Sequence, residues 1–149
     1  MTDEEFAAYR DGRYAKAMKY YDDRAITNQR AHRFCSNYVL VMSVAITPIL
    51  TVGIFSKETA TVIAALLAPT VAIAAGIAAN YKFHENWLSY RATWDALQHE
   101  LHWRDARTHE YKDASDRNSL FVERVEQLIS QEGSEWLNRH IRKDEGVAR

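Results

Sequence analysis

Four side chains in the second half of the chain have the spacing of a metal site. Asp95, His99 and His102 fall at i, i+4 and i+7 on one helical face, with His109 one heptad beyond. Imidazoles and a carboxylate so arranged can coordinate a divalent cation. The same face also carries Arg91, Asp105 and Lys112. Mixed charges of this kind read as a solvated polar surface, so no metal is assigned. Cys35 is the single cysteine. It excludes an internal disulfide, favours a reducing compartment, and sits where either acylation or simple burial of a small side chain would suit it. No nucleophile elbow, phosphate-cradling glycine loop or HExxH motif is present. The residues therefore point to no enzyme activity and no cofactor.

A second set of polar groups lies in apolar surroundings. Ser43, Thr47 and Thr51 stand four apart on one helical face. Each hydroxyl can bond to the carbonyl one turn back, or the three can form a polar stripe facing water in an oligomeric pore. Their role depends on the element that holds them. No charged residue occurs between Arg33 and Lys57, and none between Glu58 and Lys82. At about 1.5 Å per residue each run is roughly 34 Å long, against a hydrocarbon core of about 30 Å. With only Lys57 and Glu58 between the runs, the expected arrangement is two antiparallel transmembrane helices. The alternative is a hairpin buried in a soluble bundle, but so small a chain has little material to coat two such helices. Mean hydropathy over all 149 residues is −0.41, so the apolar residues are segregated rather than abundant.

The same pattern gives orientation and packing. Lys16, Lys19, Arg24, Arg30 and Arg33 precede the first run, Lys82 and Arg91 follow the second, and the turn holds Lys57 alone. Excess Lys and Arg marks the cytoplasmic side, which places both termini inside. No secretory leader is expected from the acidic opening residues. Ala60, Ala64, Ala68, Ala72 and Gly76 form a stripe of small residues suited to close helix packing in lipid. Both prolines, Pro48 and Pro69, fall within the runs as hinge candidates. Aligned kinks there could form a gate, and a static bend is the plainer meaning.

Five Gly and two Pro argue for long helices. The expectation is one all-α domain, residues 1–149: a cytoplasmic helix over 3–33, membrane helices over 34–56 and 59–81, the second continuing to about 112, then helices over 116–132 and 134–142. Phe83, Trp87, Tyr90, Trp94, Leu97 and Leu101 alternate at four and three, an a/d seam expected to pack on the aromatic N-terminal helix in a cytoplasmic bundle. Gly133 is read as a C′ residue and Ser134 as the next cap; Trp136, Leu137 and Ile141 would dock the last helix. A net charge of −1 gives no argument for nucleic acid.

Residues 20–34, leading into the first run, and residues 87–100, with Tyr90, Arg91, Thr93, Leu97 and Glu100, form a pattern of aromatics and charges. It is followed by Tyr111, Phe121 and Glu132 to Trp136. This order resembles the SLATT family of bacterial two-membrane-helix proteins, which overlaps a domain of unknown function numbered 4231. Trp94 stands where that pattern has a small residue, and Asp95 where it has Glu. The resemblance implies an effector at the bacterial inner membrane that forms an oligomeric pore or disturbs the bilayer in anti-phage defence. It also implies activation by a separate sensor protein or a nucleotide second messenger. Tyr90, Arg91, Thr93 and Glu100 would tie the cytoplasmic helices together. The competing expectation is a non-conducting membrane scaffold that docks partners through its aromatic bundle.

Overall fold

The computed structural model describes residues 1–53 and 55–147, with side-chain surroundings up to Ser134. It is all-helical, with no strand among the described residues. In chain order, α1 (Asp3–Tyr9) leads through a π-helical segment (Arg10–Tyr14) into α2 (Ala15–Thr51). Helices α3 (Lys57–Tyr81) and α4 (Phe83–Ala106), a 3-10 turn (His109–Tyr111) and α5 (Arg117–Val147) follow. The chain divides into two units, Met1–Asp23 with Ser89–Arg149, and Arg24–Leu88.

The first unit holds an aromatic core. Thr2 opens α1 with a reciprocal cap: its hydroxyl accepts from Glu5 N at 3.2 Å, and the Glu5 carboxylate accepts from Thr2 N at 2.7 Å. Phe6 and Tyr14 are both buried, although eight residues overshoot two α-helical turns by nearly one residue. The wider π turn between them takes up that residue. Phe6 thereby lines up with Tyr14, Ala17 and Tyr21, which pack with Leu97, Tyr111, Phe121 and Val125. The Phe121 ring meets Phe6 edge-on at 5.5 Å and Tyr14 at 5.3 Å. Polar contacts join the same elements. Tyr14 donates to the Leu97 carbonyl at 3.0 Å, Arg13 grips Glu126 through two bonds of 3.1 Å, and Arg104 lies over the Phe6 ring at 3.5 Å.

Helix α5 begins at an Asp cap. Asp116 Oδ1 accepts from Asn118 N and Ser119 N at 3.1 and 3.0 Å, which satisfies amides that the first turn leaves without partners. It then runs unbroken to Val147, so the expected division into helices 116–132 and 134–142 is corrected. Gly133 keeps a helical backbone rather than the left-handed one of a C′ residue. Ser134, in place of capping a new helix, donates back to the Ser130 carbonyl at 3.0 Å. Trp136, Leu137 and Ile141 lie outside the residues whose side chains are described.

The second unit has the opposite character. Its two long helices are the most apolar of the chain, yet Ala25 and Ala60 are its only fully buried residues among those described. Half-buried positions recur at three and four: Cys35, Tyr38, Val39, Met42, Ile46 and Ile49 on α2, and Ile63, Ala64, Leu67, Val71, Ala74 and Ala78 on α3. Such spacing marks one contact face on each helix. Tyr38 Oη meets Thr70 Oγ1 at 2.6 Å, and the His32 and His84 rings lie 4.9 Å apart. These two pairs ascend α2 while descending the later chain, so α2 and α3 are antiparallel.

The connection differs from the expected one. It covers residues 52–56, with Gly53 at φ 74, a conformation that favours glycine, and Ser56 capping α3 through a 3.3 Å bond from Thr59 N. Lys57 and Glu58 belong to the first turn of α3, where a carboxylate is favoured by the helix dipole. The helix expected to run from 59 to 112 is also interrupted. Lys82 takes left-handed angles, φ 49 and ψ 41, ending α3, and α4 stops at Ala106.

Candidate functional site

The outward faces of α2 and α3 are the first candidate. Phe34, Leu40, Val41, Val44 and Leu50 on α2, and Val62, Leu66, Ile73 and Ile77 on α3, all remain exposed; Val41 is 58% and Ile73 62% open. The stretches Asp3–Thr51 and Lys57–Tyr111 each contain a segment long and apolar enough to cross a membrane, and none of either segment is buried. Burying such side chains is worth about 1.5–3 kcal/mol each. Among the described residues these side chains stay uncovered, unlike those of a core helix in a soluble protein.

The hydroxyl stripe is divided. Ser43, Thr47 and Thr51 are all exposed, but Thr51 Oγ1 donates to the Thr47 carbonyl at 2.9 Å. The small-residue stripe divides too: Ala60 is buried and Ala64 half-buried, while Ala68, Ala72 and Gly76 face outward. A strict spacing of four drifts around the helix, whereas the contact face repeats at three and four. Neither proline breaks its helix. The Tyr38–Thr70 bond sets Pro69 level with the neighbourhood of Tyr38, ten residues before Pro48 on α2. The prolines are thus about 15 Å apart along the axis, and they do not form one aligned pair of kinks. Pro48 lies in the final turn of α2, since the helix ends at Thr51.

The second candidate is the polar set on α4 in the first unit. Tyr90 meets the Tyr20 and Tyr21 rings at 6.4 and 6.3 Å. Arg91 reaches Asp22 on α2 at 3.6 Å and Asp95 at 3.5 Å, with its guanidinium 4.1 Å over the Trp94 ring. Glu100 is 7% exposed and accepts from Tyr111 Oη at 2.6 Å. Burial first, then the bond to Glu100 and its charge, raise the Tyr111 phenol well above its ordinary range. Thr93 bonds within its own helix, to the Ser89 carbonyl at 3.2 Å. Tyr90, Arg91 and Glu100 therefore meet other elements, while the Thr93 hydroxyl bonds within α4.

The histidines do not converge. Asp95 pairs with Arg91, His102 is exposed, and His99 and His109 meet the Trp103 ring at 5.8 and 4.4 Å. No group of three metal-ligating side chains occurs among the described residues. Sequence reasoning missed the Tyr38–Thr70 and Glu100–Tyr111 pairs. The signal for the first was present, because a tyrosine inside an uncharged run needs a partner for its hydroxyl.

Residues 16–119 match the family model described as a protein of unknown function, DUF4231. The chain belongs to the DUF4231 family. The match takes in α2, α3, α4 and the start of α5, and so both candidate sites of this DUF4231 chain. No curated protein and no solved structure matches it.

Proposed function

We propose that this DUF4231 protein is a SLATT-type membrane effector of bacterial anti-phage defence. In this reading α2 and α3 form a transmembrane hairpin in the inner membrane, the first unit is a cytoplasmic bundle, and both termini are cytoplasmic. The observation that carries the reading is the uncovered apolar surface of α2 and α3. Lipid is the environment that makes such a surface stable. Two helices cannot enclose an aqueous path, so a pore needs several copies. Ala68, Ala72 and Gly76, facing outward, suit contacts between copies. A sensor protein or nucleotide second messenger supplied in trans would switch the assembly.

One observation favours a second reading, a non-conducting scaffold: the Thr51 hydroxyl is committed to its own helix. Reconstitution into ion-loaded liposomes separates the two. A pore predicts leakage under an activating condition, with conductance altered when Ser43, Thr47 and Thr51 are all replaced by Val. A scaffold predicts intact liposomes and a triple variant with wild-type behaviour. Absence of leakage in every activated condition removes the pore.

A further inference from the structure

We propose that a small cavity in the first unit, between α4, the 3-10 turn and α5, binds a small organic ammonium ion. Its volume is about 220 Å³, and Glu100, Trp103, His109, Glu110, Tyr111 and Arg124 line it. Trp103, His109 and Tyr111 supply three aromatic rings, and Glu100 and Glu110 supply two carboxylates. Aromatic faces with nearby negative charge are the chemistry that recognises alkylated ammonium groups. The volume suits a headgroup rather than a drug-sized ligand.

The charges around the cavity favour a cation. Arg124 is the one cation of the lining, and Glu110 already pairs with it. Arg104, one turn beyond Glu100 on α4, is held by Asp105 at 2.7 Å and Asn118 at 2.5 Å. Glu100 is left with a neutral phenol as its hydrogen-bond donor, and among the described residues no ion pair reaches it. A buried carboxylate is costly unless a cation or several donors compensate it. The walls are also set by unusual backbone. His109 has φ 53 and Arg107 φ 55, left-handed angles in residues other than glycine. That geometry brings the His109 ring to 4.4 Å from Trp103. Strain of this kind persists where surrounding structure imposes it, and it gathers at ligand sites.

Choline is the probe, titrated calorimetrically into the full chain in a maltoside micelle. Its neutral isostere, 3,3-dimethylbutan-1-ol, is the control. Saturable choline binding is expected, about tenfold or more tighter than the isostere, the ratio that one cation–aromatic contact supplies. Glu100→Gln keeps an acceptor for Tyr111 and should weaken choline by a similar factor. Because a buried substitution can unfold the unit, His109→Asn is the second variant: it tolerates the left-handed backbone, removes one ring, and sits on an exposed residue. Undetectable choline binding at millimolar concentration overturns the proposal. Equal binding of choline and isostere overturns it as well, as does choline affinity unchanged in His109→Asn. The outcome is independent of whether α2 and α3 cross a membrane.

Discussion

Individual phenols report on the core of the first unit. Tyr14 is buried, donates to the Leu97 carbonyl, and is pushed up to about 12 by burial and then by the charge of Asp105. Tyr21 is pushed up to about 12 by burial and then by the charge of Glu132. A folded-state value above the ordinary 10.0 means that the neutral phenol is favoured by folding. The associated stability is complete below that ordinary value and is lost as pH rises through about 12. Thermal melts followed by circular dichroism should therefore fall steeply in this alkaline window. Tyr14→Phe should flatten the fall, and an unchanged alkaline slope would contradict the assignment. These phenols are legible in the sequence only as members of an aromatic pattern. Tyr14 lies eight residues from Phe6, about 80° around a regular α-helix, and the π turn that improves their alignment is not announced by periodicity. Glu100 is legible through the family resemblance, but its pairing with Tyr111 is not, because Tyr111 lies beyond a helix end and a turn that periodicity does not resolve.

At the scale of elements, charge was the most readable signal and the positions of ends the least. The two uncharged runs became α2 and α3 because absence of charge is unambiguous. The connection moved from Lys57 and Glu58 to residues 52–56 because Gly53 and Ser56 decide where helices stop and start, and both are uncharged. Lys82 shows the converse. Nothing in its side chain announces a left-handed residue, yet it ends α3 at φ 49. Lys82→Gly should be neutral or stabilise the protein by up to about 1 kcal/mol, since glycine carries no Cβ penalty there. Lys82→Val should destabilise by about 1–2 kcal/mol. Melting temperatures of the detergent-solubilised protein check both, and a stabilising Val would exclude the left-handed break.

At the scale of the whole molecule, the apolar residues follow two rules. In the first unit they are inside, with Phe121, Leu97 and Val125 fully buried; in the second they are outside, with Leu66 68% exposed. Phe121→Ala should cost about 3–5 kcal/mol, and Leu66→Ala should stay within about 0.5 kcal/mol in a micelle. Comparable losses in denaturant titrations would contradict this division. The segregation could be read from the sequence as a pattern, and DUF4231 membership agrees with the resemblance drawn there. What surrounds α2 and α3 is open to direct measurement. Nitroxide labels at Val41→Cys and Ile73→Cys, in a Cys35→Ser background, can be placed in liposome-reconstituted protein. Collision with oxygen should greatly exceed collision with a water-soluble nickel chelate at both positions. Chelate access at either position equal to that at an exposed residue of the first unit, such as Glu123, would contradict a lipid-embedded pair of helices.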